Sequence, residues 1–348
     1  MRIGNLDIGE KLIVAPMADI SDAPFRKLCK EFGAGVVFTQ MVSADGVKNA
    51  NFETLRLLTY HKSEKPIGVQ LLGKDPVILG TAVKELRKIN PDWIDLNCGC
   101  PVSKVVNSGM GAGILENPKL LASLIKAMKE NSGDIPVTIK IRLGRNRANI
   151  NVLENCKIAE ENGAAAVIIH ARTREERYEM HADWEWIKIV KENISIPVIG
   201  NGSVFSPSDA VRMKKETGCD GVLVARGVIG NPFLFERYNK LVETGIDPGI
   251  PEAEKVKKTC LKHVELLFRE YGEIAALDRA KKTIIWYFRH LNGIDKLLDR
   301  IFSIKDKVQL FDYIEEHSEE ISLGNFSDEI VSEIDKKFKD RIVFWKSD

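Results

Sequence analysis

Eight short runs in the first two thirds of the chain are almost continuously apolar and rich in β-branched residues. They are LIVAPMA (12–18), VVFTQMV (36–42), IGVQLLG (67–73), WIDLNCG (93–99), VTIKIRLG (137–144), AVIIHAR (166–172), PVIGNGS (197–203) and GVLVARG (221–227). Continuous apolarity, as opposed to alternation, suits strands buried on both faces of a parallel sheet. Each run ends in polar, glycine or sulfur-bearing residues. The segments between them, such as ILGTAVKELRKIN, PKLLASLIKAMKEN and WEWIKIVKEN, carry apolar positions at helical spacing. In SPSDAVRMKKETG, Ser208 and Asp209 mark a helix start and Gly218 a stop. The alternation predicts an α/β fold, a (β/α)8 TIM barrel, with an open doubly wound sheet as its rival.

The pattern changes near residue 240. ETGIDPGIPEAEK reads as a linker, and beyond it KVKKTCLKHVELLFREYG, AALDRAKKTIIWYFRHLN, KLLDRIFSI and KVQLFDYIEEH are helical throughout. This predicts a barrel domain over residues 1–242 and a smaller all-helical domain over 243–348. The first part of the helical domain is basic, and Asp312 to Asp335 is acidic. With 51 Lys and Arg against 50 Asp and Glu, the net charge of +1 hides this asymmetry. A polyanionic partner is neither required nor excluded, so local patches decide. Six cysteines scattered over 348 residues do not make a disulfide framework. The N-terminus lacks a signal-like apolar stretch, and no run is long enough to span a bilayer. The expectation is a reducing, cytoplasmic setting with no membrane association and no obligate protein partner.

In a β/α barrel the chemistry lies at the C-terminal ends of the strands. There the sequence offers Pro16, Met17 and Ala18; Gln70; Asn97, Cys98, Gly99, Cys100 and Pro101; Lys140 and Arg142; His170, Arg172 and Arg174; Asn201, Gly202 and Ser203; and Ala225, Arg226 and Gly227. The small, glycine-containing turns after strands seven and eight let backbone N–H groups approach a phosphate, with Arg226 adding charge. Lys140 and His170 fall at adjacent strand ends with Gln70 across the mouth. A lysine on a short apolar strand needs a partner, and an electron-rich ring that becomes anionic on reduction would serve. Cys98 and Cys100 lack the further ligands a zinc site requires, so no metal is expected. A thiol is protonated at neutral pH and can act as a general acid. Its place beside Gly99 and Pro101 favours Cys100 for that role. Alternation lets Cys98 share its face, deeper in the strand. NSGMGAG (107–113) does not open a helix directly and reads as a substrate loop, not a dinucleotide motif.

These segments together resemble the tRNA-dihydrouridine synthase family. The matching stretches are APMADISDAPFR (15–26), VQLLG (69–73), DLNCGCPVSKV (95–105), SGMGAGIL (108–115), KIRLG (140–144), HARTREERY (170–178) with ADW (182–184), GNGSV (200–204) and ARGVIGNP (225–232). The resemblance implies an oxidoreductase that binds flavin mononucleotide (FMN) at the barrel mouth. Recharged by NADPH, it reduces the C5=C6 bond of uridines in tRNA. It implies Cys100 as the acid that protonates C5. Pro16, Met17, Ala18, Gln70, Lys140 and His170 would contact the cofactor ring. Asn201, Gly202, Ser203, Ala225 and Arg226 would hold its phosphate. Asn97, Lys104 and Arg142 would meet the substrate, and Lys281, Lys282, Trp286, Tyr287 and Arg289 would contact RNA. Glu176 departs from the family's usual Gln, Met180 from Gly, Ser203 from Asp and Thr283 from His. Two other readings are an FMN-dependent dihydroorotate or dihydropyrimidine dehydrogenase and a non-catalytic RNA-binding barrel.

Overall fold

In a computed structural model of the chain, residues 1–288 and 300–316 are described. Arg289 and most of the acidic C-terminal stretch lie outside them. Eight parallel strands form the ring of a nine-stranded sheet: β1 (Ile13–Val14), β2 (Val37–Phe38), β3 (Ile67–Leu72), β4 (Trp93–Cys98), β5 (Val137–Arg142), β6 (Ala166–His170), β7 (Val198–Asn201) and β8 (Gly221–Val224), and a short ninth strand, Val42–Ser43, also pairs with β3. Their order in space follows their order in the chain. β8 pairs with β1 through Leu223 and Ile13, and a parallel bridge from Ile13 to Val36 completes the ring. The sheet is thus a closed barrel, and the doubly wound alternative, which needs a reversal of order, is excluded. β1 is much shorter than the apolar run that predicts it, because Pro16 has no N–H to continue the ladder.

The strands are apolar on both faces because each face has a separate core. Outward residues, among them Val69, Leu96, Cys98, Ile141, Ile169 and Val224, pack under the helices. Inward, Ile13, Phe38, Trp93, Ala166, Ile168, Ile199 and Leu223 fill the barrel together with Ile3 and Ile8. Ile3 belongs to an N-terminal hairpin, Arg2–Ile3 against Leu6–Asp7. Gly68 makes room for this filling: a Cβ there would lie 2.3 Å from Phe38 Cε1 and 2.4 Å from Trp93 Nε1. The floor is therefore closed and oily, and buried polar groups collect at the other end.

Helix ends follow the expected chemistry with one shift. The helix Pro207–Thr217 starts on Ser206, two residues before the start read from the sequence. Ser206 Oγ accepts from Asp209 N at 3.1 Å, and Asp209 Oδ2 accepts from Ser206 N at 3.0 Å, a reciprocal capping box. Gly218 closes the helix in the left-handed conformation at φ 68°. Ser206→Ala is expected to lower stability by about 1 kcal/mol, seen as an earlier urea midpoint with unchanged slope.

Phe233–Thr244 ends on Gly245, and a long helical stretch, Ala253–Phe288, is broken at Gly272 (φ 73°, ψ 171°). Together with Lys307–Glu316 it builds a second core, in which Val256, Val264, Ile284 and Leu310 meet Leu28 and Phe233. Here the structure corrects one expectation. Trp286 and Tyr287 are both 0% exposed. Trp286 belongs to the barrel's outer core, and the Tyr287 hydroxyl faces His263 Nδ1 at 3.2 Å. An aromatic pair at adjacent positions of an amphipathic helix seals that helix to the barrel and offers no RNA surface. Among the described residues, no helix is long and apolar enough to cross a membrane.

Candidate active site

Strand register sets the polar end of the barrel. Gln70 pairs with Asp95, Asn97 with Lys140, and Arg142 with His170. Gln70 therefore lies beside Asn97, two strands from Lys140, along one wall of the mouth and not across it. The wall is hydrogen-bonded throughout. Asn97 Nδ2 donates to Gln70 Oε1 at 2.8 Å, and Gln70 Nε2 donates to Asp95 Oδ2 at 2.7 Å. Asn97 Oδ1 accepts from the backbone N–H groups of Gly99 (3.1 Å) and Cys100 (2.9 Å). Burial pushes the Asp95 carboxyl up to about 6, with the Thr138 and Gln70 hydrogen bonds opposing.

The two cysteines of the C-x-C part company at the end of β4. Cys98 points outward into the core beneath the helices and is fully buried. Burial drives its pKa far up, with Asp95 and Cys156 adding to the effect. It does not share a face with Cys100, because the strand stops at Cys98 and the Gly99 turn re-aims the chain. Cys100 is partly exposed. Burial raises its thiol pKa, while the Val102 N–H and the charges of Arg142 and Lys140 pull less strongly the other way. It keeps its proton at neutral pH. The turn is braced by Arg142 Nε, which donates to Gly99 O at 2.8 Å, and by Ala112 N, which donates to Cys100 O at 3.0 Å. Gly111 permits that closure: its φ is 57°, and a Cβ there would lie 2.8 Å from Cys100 O. The stretch read as a loop is largely helical, with Ser103–Asn107 and a 3-10 segment Gly111–Glu116. Lys104 stands exposed on the first of these, outside the hydrogen-bonded wall.

Opposite charge is scarce on the facing side. Lys140 Nζ donates to Asn201 Oδ1 at 3.3 Å, and Asn201 is fixed by its own bond to Leu223 O at 2.8 Å. Burial, reinforced by Arg142, lowers the Lys140 pKa to about 8. His170 is buried and its pKa falls well below the usual value, first through burial and then through Arg142, Lys140, Arg172 and Arg226. It is a neutral imidazole. Arg172 Nη1 lies 3.2 Å from His170 Nε2; a guanidinium only donates, so Nε2 is the acceptor. Arg142, Arg172 and Arg226 converge on the Tyr178 ring, at 5.7, 5.7 and 4.6 Å from its centroid.

Two turns complete the rim. Gly202 (φ 122°) and Ser203 (φ 55°) follow β7 in left-handed conformations. A Cβ on Gly202 would meet Ala182 Cβ at 2.7 Å, and one on Gly227 would meet Val204 O at 2.3 Å. Ser203 Oγ accepts from Arg172 Nη2 (3.0 Å) and Ala182 N (2.9 Å). Ala15 N bonds Val224 O at 2.8 Å, which brings Pro16, Met17 and Ala18 beside Ala225 and Arg226. Two departures from the family pattern are absorbed locally. Glu176 accepts from Thr173 N at 2.6 Å and pairs with Arg147. Met180 serves Arg172 through its backbone carbonyl, at 2.9 Å from Nε, and not through its side chain. Asp95 and Tyr178 were given no role by the sequence reading. Asp95 sits mid-strand, and Tyr178 lies in a stretch with no periodicity, so neither carried a local signal. Arg172 was visible at the strand end, but nothing there separated it from the other strand-end groups.

A closed β/α barrel with a polar, cation-rich mouth at the C-terminal strand ends has its candidate site where barrel enzymes carry their chemistry. The chain matches the family described as Dihydrouridine synthase (Dus) over residues 13–322. It is 35% identical to tRNA-dihydrouridine synthase B of Pseudomonas putida (strain KT2440) over 307 residues, covering 88% of this chain and 90% of that protein. It is 36% identical to the enzyme of the same name from Pseudomonas aeruginosa (strain PAO1) over 294 residues, 84% of this chain and 88% of that protein. A probable tRNA-dihydrouridine synthase of Rickettsia bellii (strain RML369-C) is 33% identical over 318 residues, 89% of this chain and 97% of that protein. Among solved structures, histamine dehydrogenase from Rhizobium sp. 4-9 superposes with a TM-score of 0.58 at 14% identity, covering 92% of this chain and 64% of that one. 2-Naphthoyl-CoA reductase superposes at 0.54 and 12% identity, covering 70% of this chain and 51% of that one. These two likenesses concern the barrel fold alone. This chain belongs to the dihydrouridine synthase family.

Proposed function

We propose that this protein is an oxidoreductase that reduces the C5=C6 bond of uridines in tRNA to dihydrouridine, on FMN recharged by NADPH, in the cytoplasm. The observation that carries the reading is Cys100: a thiol held protonated, whose backbone N–H sits on the same Asn97 that faces the mouth. The residues fit FMN. Gly202 and Gly227 sit in turns packed too tightly for a Cβ, and these turns also carry Asn201, Ser203, Ala225 and Arg226, whose backbone N–H groups and guanidinium suit a phosphate. Lys140 has no ion-pair partner among the described residues, which suits an electron-rich ring edge. When bound, FMN supplies the hydride delivered to C6.

The chain's own residues do the rest. Pro16, Met17, Ala18, Gln70 and His170 line the ring's place, with His170 neutral, so it adds no further charge. Arg142 presents N–H donors to the uracil carbonyls, and Asn97 does so in exchange for its weak contact with Met41 Sδ. Cys100 Sγ gives its proton to C5, and the nearby cations stabilise the thiolate left behind. A uridine inside folded tRNA must leave its stack to reach this depth. Lys104 at the rim and the basic part of segment 243–348 supply backbone contacts, which weaken with salt.

Purified protein, an unmodified tRNA transcript, FMN and NADPH should yield dihydrouridine, read by mass spectrometry. Tested the same way, orotate should leave NADPH unconsumed. NADPH oxidation with orotate but not with tRNA would replace this reading with a small-pyrimidine dehydrogenase. A pH dependence follows from Lys140. Its cationic form prevails below about 8 and is lost above. FMN affinity of the apo-protein, followed by fluorescence quenching, should therefore fall about tenfold as the pH rises through that value. Lys140→Arg keeps its charge and should flatten the profile.

A further inference from the structure

Asp95 lies inside the barrel, below the mouth, and touches none of the reacting atoms proposed above. Its side chain is fully buried. Oδ1 accepts from Thr138 Oγ1 at 2.5 Å, and Oδ2 accepts from Gln70 Nε2 at 2.7 Å. From Gln70 the bonds run in one direction, through Asn97 Nδ2 to Gln70 Oε1 (2.8 Å), then from the N–H groups of Cys100 (2.9 Å) and Gly99 (3.1 Å) to Asn97 Oδ1. A side-chain amide can be turned end for end with little change in shape, so its partners decide its orientation. Here both ends of the chain are fixed. A carboxylate only accepts and a backbone N–H only donates. One arrangement of the two amides satisfies every group between them. Reversing either sets two donors or two acceptors face to face in a buried site, where unpaired polar groups are costly.

We propose that Asp95 is a positioning residue: its carboxylate sets the orientation of the Gln70 and Asn97 amides and, through Asn97, the placement of the Cys100 turn. Gln70 then keeps a second N–H directed away from the chain, while that of Asn97 rests on Met41 Sδ at 3.5 Å, a weak acceptor that a carbonyl oxygen at the mouth can replace. The polarity of the donor set is dictated from beneath, by a group no ligand reaches. This rests on the reading of Cys100 as the proton donor, and the test separates the two.

Asp95→Leu removes the acceptor and keeps the branched heavy-atom shape, with somewhat more bulk, while Asp95→Asn retains one carbonyl oxygen for Gln70. The first readout uses apo-protein. Cys100 is the one partly exposed cysteine of the six, so alkylation by iodoacetamide reports its environment. Asp95→Leu is expected to change that rate about tenfold, the effect of one broken buried hydrogen bond. The second readout is turnover. In Asp95→Leu, kcat with tRNA should fall roughly 10- to 100-fold while KM for tRNA stays within about threefold, because docking is untouched. Asp95→Asn should recover most of both losses. A folded Asp95→Leu that matches the wild type in both readouts overturns the proposal, as does an Asp95→Asn as impaired as Asp95→Leu. Should Asp95→Leu fail to fold, a reversed pair carries the test. Gln70→Glu alone sets two carboxylates together. Adding Asp95→Asn lets the new amide donate to the new carboxylate, which still accepts from Asn97. Alkylation should then return to within about threefold of the wild type; no recovery overturns the proposal. Wild-type protein with no tRNA-dependent turnover would sink the functional reading and leave the alkylation result standing.

Discussion

Cys100→Ala is expected to lower kcat for tRNA reduction by about 10²- to 10⁴-fold, the usual contribution of a positioned general acid. FMN binding should persist, because the side chain is not among the groups that hold the ring or its phosphate. Single-turnover measurements would show reduced flavin surviving in the presence of tRNA. The argument turns on which of two cysteines can give up a proton to the mouth. Cys98 is buried in the core beneath the helices with its pKa driven far up. Cys98→Ala should therefore cost stability, about 1 kcal/mol from a small cavity, and leave kcat near the wild-type value. Cys100→Ser should remain poor, since a hydroxyl is a far weaker acid than a thiol. Full turnover by Cys100→Ala with loss in Cys98→Ala would reverse the assignment.

The barrel was legible because its strands are buried on both faces, so each appears as an unbroken apolar run with its polar residues at one end. That same feature hid which way individual side chains point. With both faces apolar, nothing in WIDLNCG distinguishes the inward Asn97 from the outward Cys98. The turn that separates Cys98 from Cys100 depends on Gly99 and on Arg142, forty-odd positions away in sequence and bonded to it. Long-range partners explain the other gaps too. Asp95 gains its meaning from Thr138 and Gln70 on the two neighbouring strands, and Tyr178 from three arginines at or just past the ends of three strands. The aromatic pair Trp286 and Tyr287 misled for a related reason. A helix beside a basic stretch looks like an RNA surface until the barrel it seals is in place.

Gly227→Ala tests the cradle at its tightest point. The residue is fully buried in the short 3-10 turn Arg226–Val228, and a methyl group there would lie 2.3 Å from Val204 O and 3.0 Å from Phe205 Cα. Both atoms are backbone, so the clash cannot be relieved by a rotamer change. The turns after β7 and β8 must move apart, and these are the turns proposed to close on the phosphate from two sides. Arg226 shares the strain, since its guanidinium lies over the Phe205 ring at 5.4 Å. Overpacking of this kind costs about 1–3 kcal/mol of stability. Loss of aligned, charge-assisted phosphate contacts should cost more in binding, about 3 kcal/mol or roughly 100-fold in FMN affinity. The expected protein is folded by circular dichroism but purifies without its yellow colour, and added FMN restores flavin absorbance only at high concentration. Gly245→Ala, where nothing lies within 4 Å of the added methyl, is the matched control for a glycine substitution as such. A Gly227→Ala protein that retains flavin at wild-type affinity would mean that the phosphate lies elsewhere, and the roles given to Ser203, Ala225 and Arg226 would fall with it.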